Sequence, residues 1–114
     1  MLADVTPGMR IWREENFAPI AGVTPFDSIE EVVALANDSE YGLAAYICGQ
    51  RLDQVWPLMR RLEFAMVAVN GARFTGHPIP FGGMKASGLG REGSGEGFEP
   101  FVETKYFCLH HGAI

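Results

Sequence analysis

The sequence predicts an α/β fold, and three observations lead to this prediction. Short apolar runs at 20–26, 43–48 and 66–70 alternate with two segments of helical periodicity. The resulting order of strand, helix, strand, helix, strand is typical of parallel strands joined by right-handed crossovers. The stretch 71–97 then holds nine of the fourteen glycines, which indicates a long loop region held by contacts with something else.

The helices are predicted from their ends and their apolar faces. Ser28 and Glu31 have the spacing of a capping box, so the first helix is expected to follow Ser28 and to end near Asn37. The second helix is expected after Gly49, with Pro57 in its first turn, where a missing N–H costs least. The apolar faces are Ile29, Val32, Val33 and Ala36 in the first helix, and Val55, Leu58, Met59 and Leu62 in the second.

The final segment, 101–109, alternates along its length and carries aromatic residues on both faces. This pattern predicts a strand. No partner strand is evident nearby in the sequence, and an open edge is usually covered by another strand or another subunit.

Composition argues against several classes of protein. The net charge is −5 and the basic residues are scattered, so a nucleic-acid partner is not expected. No apolar stretch approaches the roughly 18 residues of a membrane span, and a cytoplasmic location is the default expectation. Cys48 and Cys108 lie in apolar runs without Cys-x-x-Cys spacing, and both are expected to be buried structural thiols.

Three further patterns favour structural explanations. Residues 88–93 match G-x-G-x-x-G, but the residues before them cannot form the strand that a dinucleotide site needs. His110 and His111 are adjacent, so on a strand they would point to opposite faces, and a frayed terminus is expected instead of a metal site. His77 has no acid or nucleophile partner by spacing and is expected to be an exposed loop residue.

Three longer strings resemble blocks of the aldehyde dehydrogenase family. Residues 81–92 read FGGMKASGLGRE and are similar to the family's F-G-G-x-K-x-S-G-x-G-R-E. Residues 14–19, EENFAP, resemble E-E-x-F-G-P, and residues 37–45, NDSEYGLAA, resemble A-N-x-x-x-Y-G-L-A. The resemblance extends over 2–109. Its ending is similar to the succinate-semialdehyde branch, although related semialdehyde and aromatic-aldehyde enzymes share similar strings.

The resemblance implies the C-terminal part of an aldehyde-dehydrogenase-like fold. In that family a cysteine thiolate attacks the aldehyde, hydride passes to NAD or NADP, and a glutamate acts as base in thioester hydrolysis. Those two residues and the Rossmann domain lie upstream of the matched blocks, so the chain alone is expected to be inactive and to bind no cofactor. Residues 1–97 would be the end of the catalytic domain with its glycine-rich active-site loop. Residues 98–114 would be a terminal strand and tail that build a homo-oligomer.

Two questions stay open from the sequence. One is whether the chain is a dehydrogenase part or a truncated non-enzymatic module that binds dehydrogenase subunits through its terminal strand. The other is the choice between NAD and NADP, because the residues that sense the ribose phosphate belong to the upstream domain.

The resemblance assigns cofactor-side roles to two residues. Glu15 resembles a glutamate that accepts hydrogen bonds from the nicotinamide ribose hydroxyls, and Phe17 resembles an aromatic residue packed beside the ring. The structural alternatives are an ordinary exposed acid and a core anchor. Ala18 departs from the family's glycine, which restricts the turn beside Glu15.

The substrate side is implied in the same way. Thr75 resembles a position whose hydroxyl bonds the substrate's far carboxylate, and Phe81 resembles an aromatic residue of the substrate tunnel. Glu92 resembles a glutamate on a proton path, and Arg91 a neighbour at a subunit interface. The alternatives are a solvated loop for Thr75, packing for Phe81, and a salt bridge for Arg91 and Glu92.

Overall fold

The computed structural model describes residues 1–73 and 75–112. The helices are α1 (Arg10–Arg13), α2 (Ile29–Asn37) and α3 (Leu52–Arg61), and a 3₁₀ helix covers Gly95–Phe101. The strands are β1 (Tyr41–Gly42), β2 (Ala44–Ile47), β3 (Met66–Val69) and β4 (Met84–Lys85). β2 pairs with β3 in parallel, and β1 pairs with β4 antiparallel.

α2 begins and ends where the sequence predicts. The N–H of Glu31 donates to Ser28 Oγ at 3.1 Å, and the Glu31 carboxylate accepts the N–H of Asp27 at 2.7 Å. The capping pair is therefore confirmed, with its return bond one residue before the N-cap. Two acids in the first turn also face the positive end of the helix dipole.

The unit β2, α3, β3 confirms the predicted parallel pairing. Its register joins Ala44 to Met66 and Ile47 to Val69, and α2 packs beside α3. The buried apolar side chains of this unit and of α2 are Val33, Ile47, Val55, Met66 and Ala68. These residues come from four segments, the two helices whose periodicity predicted buried faces and the two apolar runs predicted as strands.

Pro57 does not lie in the first turn of α3, so that prediction is wrong. It is the sixth residue of the helix, because α3 already begins at Leu52. The turn before it is anchored by Val55, which is only 6% exposed. The ring nitrogen leaves the carbonyl of Asp53 without a helical donor, and this residue is exposed, so water can replace the lost bond.

The strand predicted at 20–26 is also not formed. Residues 2–5 run beside it through one parallel bridge, Leu2 to Gly22, and through backbone hydrogen bonds such as that from the Val5 N–H to the Val23 carbonyl at 3.1 Å, but these do not extend into a ladder. Pro25 has no N–H to donate, and no second strand of the described chain lies alongside this run. The unpredicted pair of β1 and β4 instead ties the glycine-rich stretch to the end of α2.

The segment after the 3₁₀ helix forms no strand within the described chain. Residues 102–112 belong to no sheet and are exposed. Phe101, expected to open a strand, ends the 3₁₀ helix instead. A strand needs a hydrogen-bonding partner, and none is present here, so pairing with another subunit stays a prediction.

The two cysteines are exposed, so the expectation that they are buried is wrong. Cys48 follows the last residue of β2, and Cys108 lies in the unpaired terminal segment. An apolar run buries its thiol only where another element covers it, and the described chain supplies no cover at either place.

The molecule is elongated, with a Cα radius of gyration of 20.1 Å, whereas a compact chain of this length would have about 13 Å. Many large apolar side chains are exposed to solvent, among them Phe17 at 97% and Leu89 at 99% exposure. An open, mainly apolar groove of about 590 Å³ runs between α2, β2 and α3. Among the described residues no helix is long and apolar enough to cross a bilayer.

Candidate functional site

The glycine-rich block closes into a loop through Phe81 and Glu92. The N–H of Phe81 donates to the Glu92 carbonyl at 2.9 Å, and the N–H of Glu92 donates back at 2.6 Å. This is the hydrogen-bonded pair of an antiparallel bridge, which places the two Cα atoms about 5.5 Å apart. Two residues that the sequence predicted for the site thus lie side by side where the two ends of one loop meet.

The loop is too tight for side chains at two of its glycines. A Cβ on Gly83 would lie 2.5 Å from the Cβ of Ser87. Gly90 has φ +74, and a Cβ there would come within 2.6 Å of Pro100 in the 3₁₀ helix. Because Gly90 also lies in the left-handed region, another residue would meet both strain and a clash. The glycine spacing therefore serves loop closure.

Arg91 stabilises the loop from inside. Its Nη1 donates to the carbonyls of Gly83 at 2.9 Å and Gly90 at 2.7 Å. Neither Arg91 nor Glu92 takes part in an ion pair within the described chain. The salt-bridge alternative thus finds no partner for either residue within the described chain, and the carboxylate of Glu92 is exposed.

Lys85 anchors the loop to the α/β unit. Its Nζ lies 2.6 Å from a carboxylate oxygen of Glu63 and donates to the carbonyls of Asn37 at 3.0 Å and Ser39 at 3.2 Å. These carbonyls lie at the C-terminal end of α2, where a cation is favourable. Lys85 itself adopts a positive φ of 56°, so the backbone turns to aim the side chain at this point.

Backbone bonds reinforce the same junction. The N–H of Ala86 donates to the Glu40 carbonyl at 2.9 Å, and the N–H of Gly42 donates to Ser87 Oγ at 3.0 Å. A Cβ on Gly42 would lie 2.6 Å from the Glu63 carbonyl, so the chains pass at close range. The glycine-rich loop is consequently held against β1 and does not hang free.

Two cavities flank this junction and share Leu43 and Ser87. One, of about 280 Å³, lies between the loop and the 3₁₀ helix and is lined by Phe81 and Glu92. The other, of about 330 Å³, is lined by Glu15 and by residues of α1 and β1. The fold therefore brings Glu15, Phe81 and Glu92 to adjacent cavities although they are far apart in sequence.

The residue that precedes the 14–17 segment, Arg13, is held by an ion pair. Arg13 forms a two-bond ion pair with Asp38, at 2.9 and 2.7 Å. The hydrogen-bonded Arg13 guanidinium holds the pKa of the Asp38 carboxyl below its usual range, and Arg10 lowers the pKa of Glu14 in the same way. Glu15 is in no ion pair of the described chain, so both of its oxygens can accept.

Two predicted site residues stay outside these cavities. Phe17 is 97% exposed, so its alternative reading as a core anchor is wrong within the described chain. Thr75 is exposed on the loop between β3 and Phe81. His77, as expected, is exposed on the same loop.

Asn70 is a site-supporting residue that the sequence analysis did not single out. Its Oδ1 accepts the N–H of Gly49 at 2.9 Å, and its Nδ2 donates to the Gly49 carbonyl at 2.6 Å. The residue has φ 53°, a conformation that asparagine tolerates better than most residues. The Asn-Gly pair at 70–71 was the available signal, since it marks a turn.

The remaining patterns acquire no chemistry here. Residues 88–93 lie between the antiparallel strand β4 and a 3₁₀ helix, so the strand–loop–α-helix arrangement of a dinucleotide fingerprint is not formed. His110 Nε2 lies 3.4 Å from Cys108 Sγ. Within the described residues no group of three metal-ligating side chains of the His, Cys, Asp or Glu type is assembled.

The chain is similar to known proteins along nearly its whole length. The profile described as the aldehyde dehydrogenase family matches residues 1–107. An aspartate-semialdehyde dehydrogenase (non-phosphorylating) of Halomonas elongata is 54% identical over 96% of the chain, and a probable NADP(+) succinate-semialdehyde dehydrogenase of Sinorhizobium fredii is 44% identical over 96%. Each match covers 22% of the relative, so the chain spans about a fifth of their length.

The fold is similar to that of part of a solved dehydrogenase structure. The crystal structure of succinate-semialdehyde dehydrogenase from Burkholderia pseudomallei superposes with a TM-score of 0.85 at 46% identity. The match covers 92% of this chain and 22% of that one. The exposed apolar faces described above therefore belong to a fold whose relatives are much larger.

Proposed function

Because the chain belongs to the aldehyde dehydrogenase family, we propose that it is the C-terminal part of an NAD(P)-dependent dehydrogenase that oxidises an aldehyde bearing a second acidic group. Succinate semialdehyde is the first candidate substrate. The loop closed by Phe81 and Glu92, next to the cavity that holds Glu15, is the observation that carries the proposal. The activities for which the relatives are named, aspartate-semialdehyde and succinate-semialdehyde dehydrogenase, support the substrate class.

The cofactor side rests on Glu15. Its exposed carboxylate has no ion-pair partner in the described chain, which suits it to accept hydrogen bonds from two ribose hydroxyls. Phe17, open at 97%, offers an aromatic face beside it. NAD(P), when bound, would accept the hydride. The chain's own part would be to orient the cofactor.

The substrate side rests on the loop. Phe81, at 38% exposure, would form an apolar wall for the aldehyde chain. The Thr75 hydroxyl would donate to the distal carboxylate, and the Glu92 carboxylate would exchange a proton with water. Neither cysteine lines the cavities of Glu15 and Phe81. The nucleophile and base would consequently come from the rest of the enzyme, and the chain alone would be inactive.

A chimera tests the proposal directly. This chain replaces the matching fifth of the Halomonas elongata enzyme, and NADH and NADPH formation is followed with succinate semialdehyde. The expected result is turnover by the chimera and none by the 114-residue chain or by the remaining four fifths alone. A chimera that is folded by circular dichroism yet reduces neither cofactor with any aldehyde would refute the proposed function.

A second candidate is a non-enzymatic module that binds dehydrogenase subunits. The exposed apolar side chains of the terminal segment favour it, with Tyr106 at 84% and Leu109 at 91% exposure. The same segment would join a homo-oligomer under the first proposal, in a cytoplasmic enzyme. Sedimentation of the chain mixed with an intact relative measures this binding. A stable complex favours the module only if the chimera described above is folded and inactive.

A further inference from the structure

The loop segment 71–91 has an unusual charge for this protein. It contains Arg73, Lys85 and Arg91 together with His77, and it contains no acidic residue. The whole chain carries a net charge of −5. Positive charge is thus concentrated on the segment that leads from β3 into the loop closed by Phe81 and Glu92, and Glu92 adds one negative charge at its end.

Two of these three cations have structural partners. Lys85 is held by Glu63 and by carbonyls at the end of α2, and Arg91 is held by two carbonyls within the loop. Arg73 is exposed, and it has neither a hydrogen bond nor an ion pair among the described residues. Its guanidinium is therefore available to a ligand.

Arg60 provides the comparison, since it also has no partner among the described residues. It lies in the last turn of α3, where a cation is favourable near the free carbonyls of the helix end. Arg73 lies in a loop and has no such structural reason for its charge. The charge of Arg73 is thus unexplained by the fold.

Arg73 lies three residues after an anchored point of the chain. The loop leaves the sheet at Asn70, which is clamped to Gly49, and it enters the glycine-rich block at Phe81, which is bridged to Glu92. Arg73 is two residues from Thr75, so their Cα atoms lie at most about 7 Å apart. The guanidinium and the hydroxyl can therefore reach one ligand group.

We infer that Arg73 is a specificity-determining residue that recognises the distal acidic group of the aldehyde substrate. This inference rests on the proposed function, which supplies the aldehyde with a second acidic group. A guanidinium binds a carboxylate through two parallel N–H bonds, and the Thr75 hydroxyl adds a third donor. An aldehyde without the acidic group leaves these donors unpaired, so it gains less from the site.

The test compares two four-carbon substrates in the chimera described above. Succinate semialdehyde carries the distal carboxylate, and butanal does not. For R73M we expect kcat/KM with succinate semialdehyde to fall at least about tenfold, mainly through KM, while kcat/KM with butanal is unchanged or raised. R73K should retain part of the preference as a single point charge. R60M, which removes an equally unpaired cation elsewhere, should leave the ratio unchanged.

The outcomes separate the inference from the proposed function. If R73M lowers kcat/KM equally for both substrates, or changes it for neither, the assignment of Arg73 is overturned while the dehydrogenase proposal stands. If R60M changes the ratio as much as R73M does, net charge and not local recognition is responsible, and the assignment again fails. If the parent chimera is folded but oxidises no aldehyde, the proposed function fails, and the inference fails with it.

Discussion

Replacing Lys85 by methionine tests whether this side chain holds the glycine-rich loop against the α/β unit. The substitution keeps most of the side-chain length and removes one ion pair with Glu63 and two hydrogen bonds to carbonyls. Lys85 is 27% exposed and Glu63 is 56% exposed, so their ion pair is screened by water and contributes less than about 1 kcal/mol. The two charge-assisted bonds raise the expected total to about 2 kcal/mol.

This magnitude converts to a change in local opening. About 2 kcal/mol corresponds to a roughly 30-fold increase in the open population of the loop. Amide hydrogen exchange of the purified chain measures it at Ala86, whose N–H donates to the Glu40 carbonyl at 2.9 Å. We expect protection at Ala86 to fall by that factor, while Met66 and Asn70, bonded within the parallel sheet, keep theirs.

A matched control removes another ion-paired cation. Arg61 lies 3.4 Å from Glu30 in an exposed pair, and R61M should leave Ala86 unaffected. The reasoning is refuted if K85M leaves the exchange of Ala86 unchanged. It is refuted equally if K85M accelerates exchange throughout β3, because the side chain would then support the whole unit and not the loop.

Three further predictions follow from single contacts. Asn70→Ala removes both bonds to Gly49 and puts alanine, which tolerates positive φ less well than asparagine, at φ 53°. Urea unfolding of the chain should therefore show a loss of about 2 kcal/mol in the free energy of unfolding. Asn70→Gly should recover part of this loss, and equal losses for the two variants would count against the backbone contribution. Arg13 lowers the Asp38 pKa, so this pair stabilises the fold at pH above the ordinary carboxyl value and loses that contribution as pH falls through the lowered value. An NMR titration should accordingly find the Asp38 pKa below the ordinary value of 3.8, and in R13M the pKa should rise toward 3.8. If the Asp38 pKa is the same in R13M, the ion pair is not the cause of the lowered pKa. Deleting 102–112 should abolish any concentration-dependent self-association in sedimentation, and association that survives the deletion would assign it to another surface.

Local pattern was informative where neighbours in sequence are also neighbours in space. The capping pair of Ser28 and Glu31 and the apolar spacing of α2 depend on contacts within one helical turn, and both appear as predicted. The parallel pairing of β2 and β3 follows from the βαβ order alone. The position of Pro57 was misjudged because α3 begins at Leu52 and buries Val55 before the proline, and burial is not a local property.

The strands predicted at 20–26 and 101–109 failed for a related reason. A strand is stabilised by hydrogen bonds to a partner, and the partner's presence cannot be read from the strand's own alternation. The same reason explains the two exposed cysteines, because an apolar run is buried only where another element covers it.

The sequence by itself determined the order of β2, α3 and β3, the ends of α2 and, through the string at 81–92, the resemblance to aldehyde dehydrogenases. Only the tertiary structure decided that Phe81 and Glu92 close one loop, that Lys85 ties this loop to α2, and that Arg73 is left without a partner among the described residues. The physical reason is that hydrogen bonds and ion pairs between distant segments depend on distances of a few ångströms. Composition and periodicity do not specify those distances, which are set only when the chain folds.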